Sequence, residues 1–169
     1  MKAKLIIGDK EIEIEISEEE YKKLQPSEEQ KTGYERVPES DIYFYVHSRG
    51  YVETASEDCY DIDDEYYESA NYYSDKTIAE NNIRADKLMR QLRRFAIEHR
   101  EDEVNLNDTN TKQHCIYYDY GNNILGTAFT FCVKTFGVIY FDSEETAQAA
   151  IDEFRDELIW YFTEYKDSL

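Results

Sequence analysis

Two apolar stripes at helical spacing constrain this chain more than any other feature. The first comprises Ile78, Ile83, Leu88, Met89, Leu92, Phe95 and Ala96. The second comprises Ala147, Ile151, Phe154, Leu158 and Phe162. Each marks one face of a long amphipathic helix that must bury that face against another element. Ser74 reads as the N-cap of the first helix, which spans about Asp75 to His99. Asp142 with Glu145 forms a capping signature for the second, which runs to about Tyr165.

The remaining apolar residues fall in short alternating runs, the signature of strands. "DIYFYV" and "YVETAS" predict a hairpin turning at Ser48-Arg49-Gly50. Further strands are expected at His114–Asp119, Ile124–Val133 and Val138–Phe141, a three-strand meander whose first turn is Gly121-Asn122-Asn123. At the start, Lys4–Ile7 and Glu11–Ile16 predict another hairpin. Ser17 with Glu20 then caps a short helix through Leu24, and Pro26 stops it. The fold class is α+β: antiparallel hairpins and a three-strand meander packed with two long helices, plus an N-terminal ββα unit. The expected organisation is a ββα unit at 1–25, a polar linker at 26–40 and a main domain at 41–169. A length of 169 residues suits this plan and allows a core without staples. "YYSDKTIAENNI" and "YFDSEETAQAAI" share an aromatic pair, a capping residue, an alanine and an isoleucine at matched offsets. Two strand-to-helix corners obeying the same capping chemistry account for this, and a duplicated unit is not required.

Few residues suggest chemistry. His47, His99 and His114 lie far apart and in no metal-binding spacing. Cys59, Cys115 and Cys132 are an odd number in no motif, read as reduced thiols. "DIDDEY" has Tyr66 where a calcium loop of the EF-hand type needs glycine. No phosphate-cradling glycine loop or nucleophile elbow is present. We therefore expect no enzyme, no metal and no cofactor. No stretch approaches the ~20 apolar residues of a membrane span, and no secretory leader is expected from "MKAKLIIGDKEIEIEI".

The informative feature is charge. The net charge of −19 disfavours unaided binding to nucleic acid or an anionic membrane and favours a basic partner. "EDCYDIDDEYYESANYYSD", Glu57–Asp75, holds no lysine or arginine. Directly afterwards, Lys76–Arg100 has seven basic residues against three acidic, so the rest of the chain carries −23. Two readings of the acidic segment stay open. Its carboxylates keep a tyrosine-rich stretch soluble and suit helix N-termini, or they imitate a phosphate backbone. Alternate carboxylates on one strand, such as Glu11, Glu13 and Glu15, stand ~6.8 Å apart, twice the ~3.4 Å rise per phosphate of one DNA strand. Mimicry would thus need several acidic elements to converge: the Glu57–Glu68 segment, the first hairpin and the last helix. The interleaved Tyr60, Tyr66, Tyr67, Tyr72 and Tyr73 fit a protein interface or a core edge equally. In the basic helix, Arg84, Lys87, Arg90, Arg93 and Arg94 either pair with the acidic surroundings or contact nucleic acid inside a larger complex.

"NYYSDKTIAENNIRADKLMRQLRRFAIEHR" and "VIYFDSEETAQAAIDEFRDELIWYFTEYKDSL" resemble small accessory proteins encoded by phages and prophages of Firmicutes, over about Tyr43 to the C-terminus. Some proteins of this kind are similar to anti-CRISPR inhibitors of type II RNA-guided nucleases. The resemblance implies a non-enzymatic inhibitor in the cytoplasm of an infected bacterium. Its partner would be an effector with basic nucleic-acid channels and PAM-reading arginines. The expected partner-binding residues are Glu57, Asp58, Asp61, Asp63, Asp64, Glu65, Tyr66, Tyr67 and Glu68. The competing expectations are a phage structural or regulatory protein with a basic partner, and a nucleic-acid contact through the helix at 76–100.

Overall fold

A computed structural model describes residues 2–7, 10–15, 32–101, 104 and 107–165. The fold is α+β, and the described residues form three antiparallel two-stranded sheets and three helices. The first sheet pairs β1 (Lys2–Ile7) with β2 (Lys10–Glu15), in register from Lys2↔Glu15 to Ile7↔Lys10. The short helix expected at Ser17–Leu24 lies outside the described residues.

The second sheet pairs β3 (Ile42–Val46) with β4 (Val52–Ser56). It turns where the sequence indicates, with His47 N–H donating to Tyr51 O and Gly50 N–H to His47 O. A short helix, α1 (Asp61–Glu68), follows within the acidic segment, where no helix was expected. The long helix α2 (Lys76–Glu98) comes next. The third sheet pairs β5 (Gln113–Asp119) with β6 (Ile124–Thr130), and helix α3 (Glu144–Thr163) closes the fold.

The expected meander is not formed. In place of a third strand at Val138–Phe141, a single antiparallel bridge joins Phe141 to His114. Phe141 is buried, and its N–H and C=O exchange bonds of 2.8 and 2.9 Å with His114. One aromatic anchor seats the chain there, and Ser143 then opens α3.

Both helix starts lie one residue later than expected. Asp75 is the N-cap of α2, accepting from Thr77 N and Ile78 N, whereas Ser74 Oγ donates to Glu35. Ser143 is the N-cap of α3, accepting from Thr146 N, whereas Asp142 accepts from Glu101 N. Each junction holds two adjacent capping residues, and tertiary contacts engage the first of them.

The faint echo in the sequence has a structural counterpart. Tyr73 bridges Phe44 as Phe141 bridges His114, each two residues before an N-cap. Six residues after each bridge, Ala79 and Ala147 are fully buried. The chain thus runs twice through hairpin, aromatic bridge, cap and helix. Helix α2 packs on β3 and β4, α3 packs on β5 and β6, and the two helices pack on each other. The antiparallel sense of the helix pair follows from Arg84–Glu157 at one end and Glu101–Asp142 at the other. Their shared core holds Leu88, Leu92 and Phe95 of the first stripe, Ala147, Ile151 and Leu158 of the second, and Phe141.

Candidate functional site: the acidic helix and its buried base

Strand β4 ends at Ser56, but the pairing continues one residue further. Glu57 N–H donates to Asp41 O at 2.9 Å, and Ser40 N–H donates to Glu57 O at 2.7 Å. This fixes the Glu57 side chain inward, where it is 1% exposed. A charge so deep must be paired and fully hydrogen-bonded. Arg36 supplies a two-pronged partner, its Nε 2.9 Å from one carboxylate oxygen and its Nη2 2.8 Å from the other. Tyr72 donates its hydroxyl at 2.8 Å and Cys59 its amide at 3.1 Å. The Arg36 bonds, aided by Tyr72 and Cys59 and opposed by burial, hold the Glu57 carboxyl down at about 2. Cys59 takes a positive φ of 57°, a left-handed turn that costs a non-glycine residue of order 1 kcal/mol, and its bond to Glu57 helps hold it there.

Asp63 is the second buried carboxylate, 2% exposed. It occupies the third position of α1 and reaches back to the amides of Tyr60 at 3.0 Å and Asp58 at 3.1 Å. These bonds satisfy orphan donors at the helix start, half of a capping box. The fully buried Tyr43 donates to its other oxygen at 2.8 Å, and burial followed by that bond raises the Tyr43 phenol well above its ordinary value.

Glu57 and Asp63 therefore cannot be partner-contact residues as expected. They hold the acidic segment against the body from beneath. Tyr66 also belongs largely to this base, half-buried and stacked on Tyr45 at 4.4 Å. Tyr72 stacks on Tyr43 at 4.0 Å, and Tyr73 is buried. Tyr60 and Tyr67 are exposed. The tyrosines thus divide, with Tyr43, Tyr66, Tyr72 and Tyr73 in the packing and Tyr60 and Tyr67 on the surface.

Above this base, α1 displays the other carboxylates. Asp58, Asp61, Asp64, Glu65 and Glu68 are all exposed. Asp61, Asp64, Glu65 and Glu68 stand at i, i+3, i+4 and i+7, one stripe on one helix face. At ~1.5 Å rise per residue, four carboxylates span ~10.5 Å, a mean axial step of ~3.5 Å. That mean is close to the ~3.4 Å rise per phosphate on one DNA strand, but the individual steps are ~4.5, ~1.5 and ~4.5 Å. Arg36 engages Asp64 as well as Glu57, so Asp61, Glu65 and Glu68 keep uncompensated charge among the described residues.

Local stability accounts for only half of this stripe: Asp61 and Asp64 lie in the first turn, where the helix dipole favours anions, and Asp64 also pairs with Arg36. Asp61–Glu65 and Asp64–Glu68 are like-charge i,i+4 pairs, each unfavourable by roughly 0.2–0.5 kcal/mol. Glu65 and Glu68 also sit in the last turn, where the helix dipole favours cations, and no basic residue occupies that turn. An eight-residue helix is unstable in isolation. Its order derives from the Glu57 and Asp63 networks below it.

The basic helix is complemented less than the sequence suggested. Arg84 pairs with Glu157 through two bonds of 2.8 and 3.0 Å and lies 3.9 Å over the Trp160 ring. Arg90 and Arg94 reach only their own helix, at 3.9 Å from Asp86 and Glu98 in exposed i,i+4 pairs. Such pairs contribute only ~0.3–0.5 kcal/mol. Lys87 and Arg93 are exposed. Among the described residues, α1 and α3 are not among the elements packed closely on each other.

Sequence reasoning missed Arg36. It lies in the stretch read as linker, yet residues 32–40 are fastened to the body. Ser74 N–H donates to Gly33 O at 2.8 Å, and Val37 N–H donates to the Tyr72 hydroxyl at 3.2 Å. The available signal was an arginine, one of two with Arg49, preceding an acidic run that has no cation of its own. Among the described residues, no group of three or more His, Cys, Asp or Glu side chains is placed to hold a metal ion, and no helix is long and apolar enough to cross a membrane. Comparison with protein-family models, curated proteins and solved structures returned no match.

Proposed function

We propose that this protein is a phage-encoded, non-enzymatic inhibitor of a bacterial antiphage nuclease of the type II RNA-guided class. It docks the α1 face into a cationic nucleic-acid groove and competes with nucleic acid there. The observation that carries this reading is the set of exposed carboxylates Asp61, Glu65 and Glu68 on one face of α1, left without a cation among the described residues and fixed from beneath by buried carboxylates. Asp58 extends the charge beyond the helix start, and Tyr60 and Tyr67 supply flat contact area beside it. A pre-ordered anionic stripe gains from a cationic groove without first paying the entropy of ordering its own loop. It is also steered there by charge, with association rates that fall as salt rises.

The test is a target-cleavage assay with a guide-loaded effector and the variant Asp61→Lys/Glu65→Lys/Glu68→Lys. Like-charge contacts in the groove should weaken inhibition by at least ~100-fold, about 3 kcal/mol. Unchanged potency in a folded variant would remove α1 as the contact. A second reading draws on the exposed Lys87, Arg90, Arg93 and Arg94 of α2, which would contact guide or target nucleic acid within the same complex. Co-binding of DNA and protein on the effector would favour that arrangement over competition.

A further inference from the structure

The segment Thr109–Phe141 contrasts with the rest of the molecule. It has one acidic residue, Asp119, against Lys112 and Lys134, a net +1 in a chain of −19. Within it, the ten residues Ile124–Val133 carry no charge at all. They form β6 and its exit, and β6 pairs only with β5 among the described residues. Its other edge is open, without the charges, prolines or bulges that normally protect an edge strand. Phe129, Phe131 and Val133 are exposed along it and its exit, while Ile124 is exposed on the opposite face of the sheet.

Beside this strand the chain turns at Gly137, with φ of 78°, and holds Phe136 fully in solvent at 104% exposure. Phe136 also stands at the mouth of an apolar cavity of about 270 Å³ between α2, β5 and α3. Leu92, Ile116, Ile139, Tyr161 and Phe162 line its interior. A cavity of roughly 150 Å³ is enough to take a benzene ring. One surface thus offers both an aromatic knob and an apolar hole that can receive one.

We propose that a second copy of this chain occupies this face, in a two-fold dimer in which Phe136 of each copy enters the cavity of the other. A two-fold interface requires a self-complementary patch, and a knob beside a matching hole meets that requirement. Charge also permits contact through this face. Two copies carrying −19 each repel less through this sparsely acidic face than through the α1 face. The area is of the right order. Phe129, Phe131 and Phe136 expose about two aromatic side chains between them, roughly 300–500 Å² at 150–250 Å² each. Val133 and the lining of the cavity add to this, toward the ~800 Å² per partner of a stable interface. The proposal is independent of the α1 reading, so either can fail without the other.

Sedimentation velocity on the full chain over a range of concentrations tests it, with the variants Phe136→Asp and Phe136→Tyr. The wild type should sediment at twice the 20.1 kDa chain mass and dissociate on dilution. Phe136→Asp should weaken dimerisation at least ~100-fold, since it would bury an unpaired carboxylate, while its circular dichroism stays unchanged because the side chain is exposed. Phe136→Tyr should remain dimeric. A wild type that is monomeric at hundreds of micromolar overturns the proposal, as does a Phe136→Asp protein that dimerises as tightly as the wild type.

Discussion

Replacing Glu57 by glutamine should destabilise the protein by about 3 kcal/mol at pH 7. The figure comes from the carboxyl itself, which is held at about 2 against an ordinary 4.5. Each pH unit of such a displacement is worth ~1.4 kcal/mol. Glutamine keeps the shape but removes the charge that Arg36 clasps and leaves the guanidinium without its main counter-ion. Breaking a buried pair by removing one partner is typically worth ~3–5 kcal/mol, a consistent range. The assay is urea unfolding followed by fluorescence of Trp160, the single tryptophan, which is 7% exposed on α3. With a slope of ~1–3 kcal/mol per molar urea, the midpoint should fall by about 1–3 M. The pH dependence gives a second check with a definite sign. A carboxyl whose folded value is depressed stabilises the protein fully above 4.5, and the contribution is lost as pH falls toward 2. The gap between wild type and variant should therefore narrow through that window and close below it. A pH 7 difference under 1 kcal/mol, or a gap independent of pH between 5 and 2, would refute the argument that this ion holds the acidic segment in place.

Gly33→Ala should cost more than ~1 kcal/mol in the same unfolding assay. Gly33 has φ of +89°, and an added Cβ would lie 2.7 Å from Ile78 Cγ1. Gln113→Met should raise stability by about 1 kcal/mol, because Gln113 is fully buried and neither polar side-chain atom meets a partner among the described residues. A loss of stability there would show that the amide is satisfied. Glu65→Lys/Glu68→Lys should leave stability unchanged or raise it by up to ~1 kcal/mol, since it relieves like-charge pairs and suits the helix C-terminus. A large loss would mean that these carboxylates serve the fold.

The legibility of the sequence tracked how local each signal was. Both long helices and their buried stripes followed from spacing alone, because Leu88, Leu92, Phe95, Ile151 and Leu158 repeat at the helical period. The β3–β4 turn was legible from Ser48-Arg49-Gly50 for the same reason. What failed depended on distant partners. Helix α1 carries an unfavourable charge pattern and is held by Glu57 and Asp63, whose burial rests on Arg36, Tyr72 and Tyr43, up to 21 residues away in sequence. Composition showed an acidic surface and could not show that two of its carboxylates face inward. The third strand gave way to the bridge at Phe141 because a run of apolar residues does not reveal how many will find a backbone partner. Phe136 and the charge-free Ile124–Val133 were visible as residues, but the cavity beside them exists only once α2, β5 and α3 are assembled.

The most direct measurement is equilibrium competition on a guide-loaded type II effector, with fluorescently labelled target DNA displaced by this protein at several salt concentrations. Displacement should be complete, should weaken steeply as salt rises, and should be lost in the Asp61→Lys/Glu65→Lys/Glu68→Lys variant. A ternary complex that retains the DNA, or binding indifferent both to salt and to the reversal of α1, would contradict the account.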